Sequence, residues 1–314
     1  MTPSMIITLT VNPAIDVSTS VGKVVPIRKL RCTTARHDPG GGGINAARVI
    51  RRLGGDVLAV YTAGGPTGLL LRRLVEREGL RDVIVEVAQD TRQDFTVTED
   101  ESGQQYRFVL PGLPLSAAEW QACLDALSGH PEAPAFLVAS GSLPPGVPAD
   151  FYQQVARIAK KQNAKMVLDT AGPPLALALE ERPYLIKPNL NELRQLAGRS
   201  LNDQSCWIDA GRSVIKKGGA ELVALTLGDR GALLVTSEFA YRADTPKVEV
   251  VSTVGAGDSF LGGMVWSLAA GMSVPEAFRF GVAAGCAAVL NHGTELCHAA
   301  DVMRLVDMVE IEQV

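Results

Sequence analysis

An α/β fold with a mostly parallel central sheet and a small β lid follows from three features of the sequence. Apolar, β-rich runs alternate with helical patterns as far as Leu227, the spacing expected of βαβ units. From Asp258 onward the chain is helical and rich in small residues, with VAAGCAAVL at Val282–Leu290 suited to close helix packing. Two segments, Asp16–Arg36 and Gln93–Pro111, interrupt the alternation with patterns of antiparallel strands.

Taken in order, Met5–Val11, Val57–Ala63, Ala135–Ser140, Lys165–Asp169, Tyr184–Lys187 and Glu221–Leu227 read as strands of one sheet. Ile44–Leu53, Leu69–Glu78, Ala149–Gln162, Asn191–Ala197 and Asp209–Lys217 carry helical periodicity between most of them. In DFTVTEDESGQQYRFVLPG, turn residues at Glu101–Gly103 separate two alternating runs, a hairpin signal. Neither interrupting segment holds enough apolar residues to fold alone, so both are expected to form a lid over the active face of the sheet. With no internal repeat or interdomain linker, residues 1–314 are expected to form one domain.

Composition excludes several classes. Hydrophobic residues are 46% and charged residues 20%, which removes a disordered chain, a coiled coil and a disulfide miniprotein from consideration. A net charge of −4 and 5% aromatics disfavour nucleic acid, acidic lipid and base stacking. The longest uncharged stretch, Ser259–Pro275, contains Gly262, Gly263, Ser267 and Gly271 and falls short of a membrane span, so a buried helix is expected. Five scattered cysteines form no CxxC pair, and four histidines show no metal spacing. A reducing cytoplasm fits, and no signal peptide is visible. The first four residues read as an extension, with Met5 an alternative start.

The strongest motif is STVGAGDSF at Ser252–Phe260, between the strand-like Lys247–Val251 and the uncharged helix. Gly255, Ala256 and Gly257 leave backbone N–H groups open at a helix N-terminus, which favours phosphate or a developing anion. Asp258 in the first turn is expected to stay ionised and to accept a proton from a hydroxyl; complementing the helix dipole is its simpler role. PGGGGINAA at Pro39–Ala47 places four glycines before a helix, as close approach of a ligand to the backbone would require. The spacing is not that of a dinucleotide fingerprint, and the preceding strand is polar. Asn45 is a cap, a buried amide or a ligand of a substrate hydroxyl. Asp16, in NPAID, stands where α/β sheets bind ligands and suits two sugar hydroxyls, or is an ordinary turn residue.

Between Gly22 and Arg36 lie Lys23, Arg28, Lys29, Arg31 and Arg36 with no acid, and Arg92 and Arg107 flank or join the second lid segment. Lys23, Arg28 and Arg36 are read as solvated edge charges, and one or more of Lys29, Arg31, Arg92 and Arg107 as a phosphate clamp. In LIKPNLNE, Lys187 emerges from a buried strand where a phosphate could sit. Asn189 and Glu192 have a spacing that suits hydrated Mg²⁺ or, equally, a helix cap. The Gly-rich turn Thr226–Gly231 is consistent with nucleotide contact. Neither a Walker A loop nor a GxSxG elbow is present.

NPAID, PGGGGIN, AGGPTG, TRQ, YRFVLPG, SGSLPPG, LIKPNLNE, LTLGDRGALLV and STVGAGDS occur in the order found in the phosphofructokinase B branch of the ribokinase-like sugar kinases, which the chain resembles over nearly its whole length. Within that family the unbroken GGGGIN and the GQQYRFVLPG strand are similar to the minor bacterial 6-phosphofructokinases. The Lys usual among these glycines in 1-phosphofructokinases is missing from Gly40–Gly43. The resemblance implies a ribokinase-like three-layer α/β/α domain and ATP- and Mg²⁺-dependent phosphorylation of the 1-hydroxyl of fructose 6-phosphate. It implies Asp258 as base, with the N–H groups of Gly255, Ala256 and Gly257 as anion hole. Asp16, Gly41, Gly42 and Asn45 would hold sugar hydroxyls. Arg92 and Ser142, with Lys29, Arg31 and Arg107, would place the sugar phosphate. Lys187, Asn189, Thr226 and Gly228 would contact ATP, and Glu192 would organise Mg²⁺ through water. Thr226 stands where relatives often have Ser. A homodimer made through the lids is also implied. The rivals are a fructose 1-phosphate or tagatose 6-phosphate kinase, a non-catalytic sugar-phosphate sensor and a dinucleotide-dependent oxidoreductase.

Overall fold

The computed structural model describes residues 4–314. The expected N-terminal extension therefore falls largely on residues 1–3, outside the described residues. The chain opens with strands β1 (Ile6–Thr10), β2 (Ala14–Val21) and β3 (Arg36–Gly40), then helix α1 (Gly42–Arg52), β4 (Val57–Ala63), α2 (Gly65–Arg77) and β5 (Arg81–Glu86). It continues through β6 (Arg92–Glu99), β7 (Gln105–Phe108), α3 (Ala117–Ser128), β8 (Phe136–Ser140), α4 (Phe151–Lys161), β9 (Lys165–Asp169), α5 (Pro173–Ala178) and β10 (Leu185–Ile186). Next come α6 (Leu190–Ala197), α7 (Gln204–Lys216), β11 (Leu222–Thr226), β12 (Ala232–Val235) and β13 (Ala240–Ala243). The helices α8 (Ala256–Ala269), α9 (Val274–Ala288) and α10 (Ala299–Val306) precede the final strand β14 (Ile311–Gln313).

Ten strands form the main sheet, in the order β14-β13-β12-β11-β10-β9-β8-β1-β4-β5. Every pairing from β11 to β5 is parallel, and β12, β13 and β14 extend the sheet antiparallel. The central strands β1, β4 and β8 are buried along their whole length, as a sheet covered on both faces requires. Alternate residues feed two cores. Ile6, Val57 and Ala59 join residues of α1, α2, α8, α9 and α10, while Ile7, Leu9 and Leu58 join residues of α3 to α7. The expected three layers result.

The second sheet has the order β3-β2-β6-β7. The β6–β7 hairpin forms as the turn signal predicts, with Phe95 opposite Phe108. The sequence pattern misleads in one respect: the central pair, β2 with β6, is parallel over eight residues. The two segments approach along different elements, so no hairpin constrains them to run antiparallel. The return strand β3 also starts only at Arg36, and residues 22–35 pair into no strand. Lys247–Val251, read as strand-like, belongs to no strand. Strands β5, β12, β13 and β14 and helices α3 and α5 were not legible; β5 has charged residues at both ends, and β14 is only three residues long.

Small residues set the helix spacing on one face. A Cβ on Gly263 of α8 would lie 2.6 Å from the Ala284 Cβ of α9, which matches the close packing expected of VAAGCAAVL. The run Gly40–Gly43 is explained mainly by the protein itself rather than by ligand approach. A Cβ on Gly40 would meet the Asp16 carboxyl at 2.5 Å, one on Gly42 the Ser140 Oγ at 2.1 Å, and one on Gly43 the Leu9 carbonyl at 2.5 Å. Gly41 has φ +110°, outside the range of other residues. These contacts let α1 start directly against the end of β1, where the Thr10 hydroxyl accepts the Ile44 N–H at 2.9 Å. Gly43→Ala gains about 1 kcal/mol of helix propensity but pushes a methyl group into backbone that cannot yield, at about 1–3 kcal/mol. The expected outcome is a lower urea midpoint; an unchanged or raised midpoint would contradict this packing.

Candidate active site

The carboxyl edge of the parallel sheet presents a row of polar groups. Thr10 ends β1, Ser140 ends β8, Asp169 ends β9, Lys187 follows β10 and Thr226 ends β11. Ligands bind at this edge in open α/β sheets. Two helices begin there. Helix α1 starts behind Gly41, and α8 behind Gly255, whose φ of 76° and closeness to the Leu296 side chain leave no room for a Cβ. Neither N-cap glycine supplies a side-chain cap, and although Thr10 takes the Ile44 N–H of α1, both helix starts leave other N–H groups available to an anion.

The two helices pack together, and a hydrogen bond joins their first turns. Asn45, in the first turn of α1, donates from Nδ2 to Asp258 Oδ2 at 2.8 Å. Asn45 is thus neither a cap nor the residue that opens the helix. Burial pushes the Asp258 carboxyl up to about 6, and the charge of Asp169 adds to this; the Asn45 hydrogen bond, Lys187 and Arg107 pull it down. The sequence suggested a carboxylate kept ionised by the helix dipole. Enclosure outweighs that effect, although Asp258 remains ionised above pH 6.

Asp16 projects from β2 beneath Gly40, not from the end of β1. Its carboxyl is pushed up to about 7 by burial, then by Asp94 and Asp258, against the lowering charges of Arg48 and Arg92. The other two acids are paired. Lys187 Nζ lies 3.1 Å from Asp169 Oδ1, and Asp169 Oδ2 accepts the Ser140 hydroxyl at 3.2 Å. Lys187 is also within 3.4 Å of where a Cβ on Gly257 would stand. Arg92 donates through Nη1 to both oxygens of Asp94 at 2.7 Å and to the Leu110 carbonyl at 3.0 Å. Its Nε is buried without a partner.

Two cavities open at this edge. One of about 670 Å³ is lined by Asn12, Arg92, Leu110, Gly112 and Ser142, with Asn12 Nδ2 donating to Ser142 Oγ at 3.1 Å. The other, about 540 Å³, is lined by Asn189, Thr226, Gly228, Ala256 and Gly257, with apolar walls that include Val250 and Val282. Asp16 feels both Arg92, which lines the first cavity, and Asp258, next to Gly257 in the second. Neither carboxylate lines a cavity wall itself.

Asn189 and Glu192 form the capping box of α6. Asn189 Oδ1 accepts two backbone N–H groups, and Glu192 Oε2 accepts the Asn189 N–H at 2.8 Å. Lys29 and Arg31 are exposed in the 22–35 loop and make no hydrogen bond or ion pair among the described residues, so within one chain they join no site. Arg107, exposed on β7, reaches the site only through its charge on Asp258. Asp94, Asp169, Arg48 and Asn12 were missed by sequence reading; only the NP of NPAID and the strand-end position of Asp169 marked two of them.

The two raised carboxyls tie stability to pH. Each binds a proton in the folded state up to about 7 or 6 but releases it near 3.8 when unfolded. Their cost is thus absent below that unfolded value and grows until it is complete above pH 7. Asp16→Asn is expected to raise the Tm of the ligand-free protein by about 2 °C or more at pH 8, and by less at pH 5. A lower Tm at pH 8 would contradict this.

Residues 1–301 match the pfkB family carbohydrate kinase profile. The ATP-dependent 6-phosphofructokinase isozyme 2 of Mycobacterium tuberculosis H37Rv is 44% identical over 303 residues, covering 96% of this chain and 89% of that protein. Isozyme 2 of Escherichia coli K12 is 42% identical over 301 residues, covering 96% of this chain and 97% of that one. A 1-phosphofructokinase of Bacillus subtilis is 32% identical over 93% of this chain and 95% of its own. The crystal structure of phosphofructokinase-2 from Escherichia coli in complex with fructose-6-phosphate superposes with a TM-score of 0.92 at 40% identity, over 97% of this chain and 99% of that one. With this match, the GAGD helix start and the ribokinase-like sheet, the chain belongs to the pfkB family of carbohydrate kinases.

Proposed function

We propose that the chain transfers the γ-phosphoryl group of ATP to the 1-hydroxyl of fructose 6-phosphate. The observation that carries this reading is the Asp258 carboxyl, enclosed in the first turn of α8 and held by Asn45, with one cavity lined by Arg92 and Ser142 and a second lined by Ala256 and Gly257. The first has Asn12, Arg92 and Ser142 set in otherwise largely apolar walls; the other has an apolar wall and ends at the N-terminus of α8. Relatives at 44% and 42% identity are 6-phosphofructokinases, which favours fructose 6-phosphate over the sugars of more distant relatives.

In this reading Asp258 is the base. Asn45 occupies its Oδ2, and Oδ1 takes the proton of the attacking hydroxyl. Asp16, Asn45 and the backbone at Gly41 and Gly42 hold the sugar hydroxyls. The N–H groups of Gly255, Ala256 and Gly257 face the charge that develops on the transferring phosphoryl group. Lys187, kept charged by Asp169, counters the phosphates, and Asn189, Thr226 and Gly228 line the nucleotide cavity. Arg92 and Ser142 meet the sugar phosphate, with Arg92 Nε the donor still free.

The residues present fit Mg²⁺ as a guest of the triphosphate rather than of a protein cage. No group of three His, Cys, Asp or Glu among the described residues could hold a metal, Asn189 Oδ1 is committed to its cap, and Glu192 has one oxygen left. Glu192 therefore orients the cation through water. When bound, the cation neutralises phosphate charge. The four-stranded sheet acts as a lid. Its exposed Phe95 and Phe108, with Ile27, Leu30 and Val109 nearby, are covered by a second copy in a homodimer. No helix among the described residues is long and apolar enough to cross a membrane, and all five cysteines are free, in keeping with a cytoplasmic enzyme.

The test is coupled ADP release with Mg-ATP over concentration series of fructose 6-phosphate, fructose 1-phosphate and tagatose 6-phosphate. The highest kcat/KM is expected on fructose 6-phosphate. Preference for another sugar would keep the chemistry and overturn the substrate; binding without turnover on all three would leave a sugar-phosphate sensor.

A further inference from the structure

Asn45 can hold Asp258 only if its carboxamide faces the right way, and a buried arginine one turn along α1 dictates that. We propose that Arg48, anchored by Glu78, is a positioning residue that fixes the Asn45 carboxamide and, through it, the Asp258 carboxylate. This rests on reading Asp258 as the base.

Arg48 is completely buried, which is rare for a guanidinium and costs stability unless every N–H is used. Its Nε and Nη2 donate to Glu78 Oε1 at 2.9 and 2.7 Å. Its Nη1 faces the Pro39 carbonyl at 3.1 Å, the Thr294 carbonyl at 3.0 Å and Asn45 Oδ1 at 3.3 Å. A guanidinium only donates, so only the oxygen end of the Asn45 amide can face it as an acceptor. The NH₂ end is then forced toward Asp258. Without Arg48 only Asp258 itself opposes the flipped amide, whose oxygen would face a carboxylate oxygen.

Neutralising Glu78 does not explain Arg48. Arg52, one turn further on, already donates to both Glu78 oxygens at 3.0 Å. What Arg52 does not reach is Asn45. Arg48 also ties β3, at Pro39, and the loop at Thr294 to the same point, so the start of α1 and the end of β3 are held in one register.

The experiment is a double-mutant cycle on the full chain, with kcat and KM read by coupled ADP release at saturating Mg-ATP and folding checked by circular dichroism. Arg48→Met is expected to lower kcat about 10- to 100-fold while changing the KM for fructose 6-phosphate by less than about 3-fold. In an Asn45→Ala background the same substitution is expected to cost less than about 2-fold in kcat, because the link is already cut. A merely structural Arg48 would give the same fold-loss in both backgrounds, and that additivity would overturn the proposal, as would an unchanged kcat. If Arg48→Met does not fold, Glu78→Gln carries the cycle, with about 3- to 10-fold expected in the native background and none beside Asn45→Ala. An unchanged kcat in Glu78→Gln would then overturn it. Asp258→Asn separates the two readings. Retained turnover there defeats the base itself, whereas a dead Asp258→Asn with additive Arg48 and Asn45 effects defeats only the positioning role.

Discussion

The hydrogen bond from Asn45 to Asp258 joins the first turns of two helices that are far apart in sequence, and the geometry of the site depends on it. It forms because α1 begins directly at the end of β1 and α8 begins behind a glycine in the left-handed region. The four glycines ahead of α1 serve that closeness: three of them would place a Cβ within 2.6 Å of Asp16, Ser140 or Leu9. A sequence feature that suggests ligand contact is thus first a packing requirement. The backbone it exposes near the helix start follows from that requirement.

Charge at the sheet edge is divided in a way that separates support from chemistry. Four carboxylates converge there. Asp169 has Lys187 and Asp94 has Arg92, each in direct contact. Asp16 and Asp258 have no direct cation partner among the described residues, and both are pushed up in pKa by enclosure and by neighbouring acids. The local cations sit on the acids that orient them, and the other two carboxyls are left without one. Pairing with Asp169 also keeps Lys187 charged although it is only 7% exposed, so it can face a phosphate.

The parallel sheet was legible because its strands are continuous apolar runs between helical patterns. Edge strands such as β5 were not, since Arg81, Asp82 and Glu86 leave only a three-residue apolar run between them. The β6–β7 hairpin was legible from its turn, but the parallel pairing of β2 with β6 was not, because register between distant segments leaves no local mark. Within the site, residues in glycine-rich or helix-start motifs were found: Asp258, Asn45, Lys187, Asn189. Asp169 and Asp94 were missed because each lies in an ordinary strand and acts by holding a cation. Arg48 was missed because a single Arg on a helix face reads as solvated until its neighbours are known. For Glu192 and Asn189 the plainer reading, a capping box, is what the fold displays, and any role toward a cation is added to it.

The most direct measurement is the pH dependence of kcat/KM for fructose 6-phosphate, in the native protein and in Asn45→Ala. A base lifted by enclosure gives an acidic limb near pH 6, with activity lost as Asp258 takes up a proton. Because the Asn45 hydrogen bond lowers that value, its removal should move the limb to higher pH. A limb near pH 4, or one that stays in place when Asn45 is removed, would contradict the account.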